Sequence, residues 1–404
     1  MTAKRVALFV ISISSLLIWD LLIIKNLLGG KMETVLVILS LLPFVYSSFL
    51  LLNDFRFESS YFKFIITVFF CYEAVIVARG WSFAYEDIKT YIQDGSILWP
   101  FIVPVFIFFN KKLITFGYFF KWIYISGIFF LVVGIALPTL LIYRITAETF
   151  VYFALPCGFL LLNATYLSNK KVNLSLFALS LSILSLTYLA RRSGLITLLG
   201  FVAAGYLINR SSASSPKLFR LLPFIVIIAA FVLFNQNFEN IKDMLFNKLV
   251  YRISEDTRSN LFDMFFKQMK EHMIFGKGMN ATYYFPFLGF EVDGVFYGKV
   301  EWRHIIENGW LQLLLTGGIV HIVLYVLVLL PGAILGFFKS ANMFVKACSV
   351  VILLRMLDMF FYGMPSLNLP YILVWICVGV CYKTSLRKMT NDEIMVEIKK
   401  IDLR

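Results

Sequence analysis

The sequence predicts an all-α polytopic membrane protein, with about twelve transmembrane helices and one large extracytoplasmic helical loop, and three observations predict it. Of 404 residues, 60% are apolar, 17% aromatic and only 15% charged, and mean hydropathy is +0.82. Soluble domains hold nearer 45–50% apolar and about 25% charged residues, so this excess needs lipid around it. Mostly apolar runs of 13 to 25 residues recur from end to end, each bounded by charged or turn residues. One long polar interruption, near 235–305, stands between late runs.

The runs lie near 6–24, 35–52, 64–78, 97–109, 122–142, 150–167, 173–190, 194–208, 221–235, 313–337, 345–364 and 369–382. The first begins like a signal sequence but is long enough to span and lacks a small-x-small cleavage site, so it reads as an uncleaved span. With a cytoplasmic N-terminus, 20 of the 37 lysines and arginines fall on the inner side, among them Lys4, Arg5, Lys111, Lys112, Lys121, Lys170, Lys171 and Lys400. The short loops then obey the positive-inside rule and both termini are cytoplasmic. The expected organisation is 1–234 with nine spans, 235–305 as the outer loop, 306–382 with three spans and 383–404 as a cytoplasmic tail.

The outer loop contains a helical pattern: Phe262, Phe265, Phe266, Met269 and Met273 share one face, while Asp263, Lys267, Lys270 and Glu271 share the other. Such a helix lies on the membrane surface or caps the bundle. The net charge of +13 follows from topology and does not call for nucleic acid. Cys71, Cys157, Cys348, Cys377 and Cys381 sit in apolar runs as small hydrophobes, and no zinc-type spacing exists, so neither metal nor other cofactor is expected.

Titratable groups are scarce. His321, inside an apolar run, reads as a packing residue, and His272 as a solvated end of the amphipathic helix. His304 lies in Glu301-Trp-Arg-His-Ile-Ile-Glu-Asn308; if that stretch is helical, Arg303, His304, Glu307 and Asn308 are one turn apart, a base-plus-cation cluster or an ordinary charged collar. Arg191 and Arg192 oppose the charge bias at the outer end of a span, which suits an anionic ligand or lipid phosphates. Arg258 opens the amphipathic helix, with Glu255 and Asp256 as its local partners. Within spans, Asp20, Glu73, Arg355 and Asp358 are candidates for ion or proton paths, the last two spaced to pair. No nucleotide-binding loop, metalloprotease motif or nucleophile elbow is present, so energy comes from the substrate or a gradient.

Arg192-Ser-Gly194, then Asp256-Thr-Arg258 leading a helix that ends Glu271-His-Met-Ile-Phe-Gly-Lys-Gly278, then Glu307-Asn-Gly-Trp-Leu-Gln-Leu-Leu-Leu-Thr-Gly-Gly-Ile319, resembles the bacterial O-antigen polymerase and ligase superfamily (Wzy-type). The resemblance is sharpest over about 190–320. Met273 replaces the usual Pro, and Glu307 stands where ligases have the His of a His-Asn pair, which favours a polymerase. The resemblance implies a GT-C-like fold in the bacterial inner membrane. It also implies metal-independent, inverting glycosyl transfer on the outer face, from an undecaprenyl-diphosphate-linked oligosaccharide to a second lipid-linked unit, with a chain-length regulator as partner protein. Carried onto this sequence, Arg191 or Arg192 and Arg258 contact the diphosphate, Arg303 or Arg252 assists, Asn308 stands with them, and Glu307 or His304 is the base. Ligation to lipid A core or protein is the nearest alternative. A lipid-linked oligosaccharide flippase is the alternative of another class; it would have short outer loops and two related halves, and no internal repeat is visible.

Overall fold

Inside lipid every backbone N–H and C=O must find a partner within the protein, so apolar runs coil into helices. The computed structural model describes residues 2–24, 30–52, 57–109, 112–142, 144–189, 192–209, 259–287, 290–292, 295–297, 300–306, 308–361, 363 and 365–402. In chain order the helices are α1 (Thr2–Ile24), α2 (Gly30–Leu51), α3 (Ser60–Gly80), α4 (Tyr85–Gln93), α5 (Trp99–Ile102), α6 (Leu113–Ala136), α7 (Thr139–Ile142), α8 (Arg144–Val151), α9 (Cys157–Leu162), α10 (Asn169–Tyr188) and α11 (Arg192–Asn209). Then come α12 (Ser259–Met269), strands β1 (Tyr283–Phe287), β2 (Phe290–Val292), β3 (Val295–Tyr297) and β4 (Val300–Arg303), and α13 (Gly309–Phe338), α14 (Met343–Phe361), α15 (Leu369–Tyr382), α16 (Thr384–Lys388) and α17 (Asn391–Asp402).

Local chemistry sets the helix starts. Ser59, Asn308 and Asn368 are extended residues whose side chains accept from the N–H of Phe62, Leu311 and Tyr371, so α3, α13 and α15 each begin on a cap. Packing closes at small residues: Gly158 lies against Phe201, Gly205 against Leu161 and Gly336 against Cys381, so close that a methyl group at any of them meets a neighbour within 3 Å. The core is aromatic, with Phe9, Phe44, Phe106 and Phe109 in one cluster and Trp375 buried among Phe69, Tyr325 and Tyr371. Helix exteriors are apolar too: Phe49 and Phe64 are each 69% exposed, and Leu42, Ile135 and Leu184 face outward. A helix apolar on every side belongs in lipid. Three of these helices, Ser60–Gly80, Leu113–Ala136 and Gly309–Phe338, are long and apolar enough to cross a membrane, and shorter apolar helices occupy Val35–Leu51, Trp99–Phe108, Gly194–Asn209 and Leu369–Tyr382. This is a mostly helical membrane protein.

The bundle has two distinct ends. At one, the tail end, Asn342 donates to the carbonyls of Leu386 and Met389, Tyr166 donates to Asn391, and Ser385 donates to Glu58. Residues 384–402 are therefore a packed helical pair, with Ile394 and Ile398 buried. At the other, the loop end, Leu367 donates to the Gly95 carbonyl, Met279 to that of Ile76, and Asn280 to the Tyr91 hydroxyl.

Several expected runs differ in form. The run at 97–109 is one α-turn followed by a 3-10 helix at Val103–Phe108, because Pro100 and Pro104 withhold amide donors. The run at 150–167 is broken into turns around Pro156, the six residues of α9 and a 3-10 turn at Ala164–Tyr166. The run placed at 122–142 starts earlier, at Leu113, with Lys121 exposed on the helix rather than in a loop, and it stops before Pro138. The run at 221–235 lies outside the described residues.

Candidate functional site

The site is built around a broken helix. α13 carries one non-helical residue, Gly318 (φ 69°, ψ −166°), which strands carbonyls of the first half and amides of the second in an apolar interior. The segment 273–278 supplies the missing partners. Ile319 and Val320 donate to the carbonyls of Met273 (2.8 Å) and Ile274 (3.2 Å), while Lys277 and Gly278 donate to those of Leu315 and Thr316, both at 2.8 Å. Two backbones in such contact leave no room for side chains. A Cβ on Gly276 (φ 64°) would sit 2.5 Å from Thr316 and Gly317, and one on Gly318 would sit 2.2 Å from the Ile274 carbonyl oxygen. Helix α3 locks the joint from outside: Arg79 donates to the carbonyls of Phe275 and Gly276 at 2.6 Å each, and the Tyr72 hydroxyl donates to Gly317 at 2.6 Å. The Glu271–Gly278 and Asn308–Ile319 motifs are thus two halves of one joint.

Above it lies an extended lip. The helix expected through 303–308 does not form there, because Val300–Arg303 pairs antiparallel with Tyr283–Phe287, an aromatic strand that suits a pleated surface. A second hairpin pairs Phe290–Val292 with Val295–Tyr297. Arg303, on β4, holds its guanidinium 5.0 Å from the Phe285 ring centre, and His304 follows it, exposed. Gln312 clamps the chain below: its amide nitrogen donates to the His304 carbonyl and its amide oxygen accepts from Ile306 N–H, both at 3.0 Å. Asn308 caps α13 and donates to the Phe360 carbonyl at 2.8 Å, so its side chain fixes the start of α13 against the end of α14. α12 covers the lip from the other side, burying Phe265 and Met269 against Tyr283, Ile306, Leu314 and Leu315. It caps the bundle, and a 3-10 turn, Lys270–His272, ends it with His272 exposed. Beside the joint, partial burial lowers the pKa of Lys277, whose ammonium donates to the Thr282 carbonyl at 3.3 Å.

Of the residues the sequence proposes, Arg303, His304 and Asn308 stand together on this lip, and Arg192 opens α11, whose following turns pack on α14. Arg191, Arg252, Arg258 and Glu307 lie outside the described residues. Arg355 and Asp358 form the expected pair at 2.7 Å, and Thr197 donates to Asp358 at 2.6 Å, joining α11 to α14. Among the described residues no cluster of three or more His, Cys, Asp or Glu is placed to hold a metal.

One pair escaped sequence reasoning. Glu73 of α3 and His321 of α13, 248 positions apart, meet at 2.9 Å just below the joint, and His321 Nδ1 stands 3.5 Å from Thr316 Oγ1. Each side chain was legible as a lone polar group in an apolar run; only the fold pairs them.

Residues 177–326 match the sequence model of the O-antigen ligase family. No curated protein and no solved structure matches the chain. The matched stretch runs from within α10 through α11, α12 and the hairpins to the joint in α13, and over that stretch the chain is similar to the O-antigen ligase family.

Proposed function

We propose, from this O-antigen ligase-type stretch, that the protein is a surface-polysaccharide polymerase of the bacterial cytoplasmic membrane. It joins repeat units linked to undecaprenyl diphosphate on the outer side of that membrane, with the loop end facing out and both termini in the cytoplasm. The observation that carries the reading is the joint: the two motifs of the matched stretch lock together below an extended lip bearing Arg303, His304 and Asn308, at the end where α11 begins with Arg192.

In this reading an acceptor hydroxyl attacks the anomeric carbon of the donor from the side opposite its diphosphate. The new C–O bond forms as the bond to the diphosphate breaks, inverting configuration, and the hydroxyl proton passes to a base at the loop end. His304 and Glu307 are the candidates from sequence. The departing diphosphate carries about two to three negative charges, and guanidinium groups hold it bidentately without a metal. Arg191, Arg192 and Arg258 take that role, with Arg252 and Arg303 assisting. A chain-length regulator is the partner protein the reading implies. Glu307, at the position where ligases carry histidine, favours polymerisation over ligation.

The test is the glycan of cells deleted for this chain and complemented with wild type or Arg258→Ala, with membrane levels checked by blot. A collapse to single repeats, restored by wild type and not by Arg258→Ala, supports the polymerase. A full ladder left on the lipid carrier makes the protein a ligase, and an unchanged ladder overturns glycosyl transfer altogether.

A further inference from the structure

Glu73 is 4% exposed and His321 2%, both inside helices with apolar exteriors. A buried ion pair gains little over well-packed hydrophobic residues of the same volume, and leaving a carboxylate oxygen unpaired in such a place costs more. Glu73 does the second. Its Oε1 meets His321 Nε2, while its Oε2 is buried without a hydrogen-bond partner. Thr316 uses its hydroxyl proton on the carbonyls of Gln312 and Leu313, so toward His321 Nδ1 it offers only lone pairs. An ionised Glu73 has only lone pairs to offer, so in its contact with His321 the ring Nε2–H is the donor, and Oε2 is the acceptor left over.

Glu73 lines a narrow cleft with His321, Thr316, Gln312, Phe101 and Tyr371, with room for about one water molecule. Gln312 is also the residue that clamps the carbonyl of His304, so the cleft lies directly beneath the lip. Among the described residues Tyr325 and Tyr371, hydrogen-bonded to each other, also line this cleft, the nearby Tyr72 donates its hydroxyl to the Gly317 carbonyl, and Arg79 is bound to loop carbonyls.

We infer that Glu73, oriented by His321, accepts the proton released when the acceptor hydroxyl is glycosylated. The inference rests on the glycosyl-transfer reading and replaces His304 and Glu307 with Glu73 as its base. The acceptor O–H bond breaks as its oxygen bonds the anomeric carbon; the proton reaches Glu73 across one water in the cleft, and the electron pair of the broken C–O bond leaves with the diphosphate. His321 keeps its proton and acts as a positioning residue.

The experiment uses the full chain in lipid nanodiscs, with lipid-linked oligosaccharide extracted from the deletion strain as donor and acceptor. Glu73→Gln keeps the shape and the bond to His321 but cannot take a proton. It is expected to lower kcat about a hundredfold or more, to leave the donor KM near the wild-type value and to abolish the acid limb of the rate profile. Wild-type turnover in Glu73→Gln, within about threefold across the profile, overturns the inference while leaving glycosyl transfer standing. If wild type itself forms no glycosidic bond, the functional reading falls and the inference with it. Should Glu73→Gln fail to purify, Glu73→Asp, with its carboxyl withdrawn by one methylene, carries the test: reduced kcat at unchanged KM supports it, and undiminished kcat overturns it.

Discussion

At the scale of single residues, two glycines separate steric need from mere packing. A methyl group on Gly318 would meet the Ile274 carbonyl at 2.2 Å on a backbone with positive φ, whereas one on Gly200 would meet only the tip of Leu354 at 2.6 Å. Gly318→Ala should therefore strip the protein from the membrane fraction or lower its apparent melting temperature by well over 5 °C, at an expected cost of about 3 kcal/mol or more. Gly200→Ala should stay within a few degrees of wild type; equal effects in thermal unfolding would refute the joint as described. Asn308→Ala removes a helix cap worth about 1 kcal/mol together with the bond to Phe360, and should show a modest melting shift. The sequence marked Asn308 for its motif, as an assistant at the diphosphate; in the structure its amide oxygen accepts from Leu311 N–H and its amide nitrogen donates to the Phe360 carbonyl. His304 was legible as a lone histidine beside a span. Glu73 and His321 were legible only singly, because a pairing across 248 positions leaves no local trace.

At the scale of elements, the Arg79 clamp is the part most open to test. Two charge-assisted bonds, each worth about 1.5–3 kcal/mol, tie the loop at 275–276 to α3. Arg79→Ala should raise hydrogen exchange of residues 273–280 while α6 and α14 keep their protection, and unchanged exchange there would show that the α13 contacts suffice alone. The helices themselves were readable from hydropathy wherever the backbone is regular, as at Ser60–Gly80 or Leu369–Tyr382. Hydropathy measures composition and not backbone geometry, so it ran straight through Pro100, Pro104 and Pro156, where the chain tightens or turns. The hairpins were missed for a related reason. Tyr283-Tyr-Phe-Pro-Phe287 and Val300-Glu-Trp-Arg303 are short, and charge spacing drew the eye to a helical reading of 303–308 that the strand pairing overrides.

At the scale of the whole molecule, apolar residues cover both the interior and the exterior of the helices, and membrane residence follows from that arrangement. Orientation is a prediction from the distribution of lysine and arginine. A periplasm-dependent reporter inserted at residue 289 should be active, and a cytoplasm-dependent reporter after Arg404 should be active in the same cells; the reverse pattern would turn the molecule over and remove the loop end from its substrate. Composition made the membrane class legible, and ordered motifs made legible the likeness to the O-antigen ligase family over 177–326. The joint was beyond reach, since nothing in a linear sequence says that one Gly-rich segment fills the gap in a helix some forty positions later.

As proposed, this chain forms glycosidic bonds between lipid-linked units with no other energy source. Its most direct test is to incubate the purified protein in nanodiscs with lipid-linked repeat units alone, without nucleotide or metal, and to follow both products. The expected result is a ladder of longer lipid-linked glycans with one undecaprenyl diphosphate released for each bond formed. Repeat units left unextended, or extension only on addition of another energy source, would contradict it.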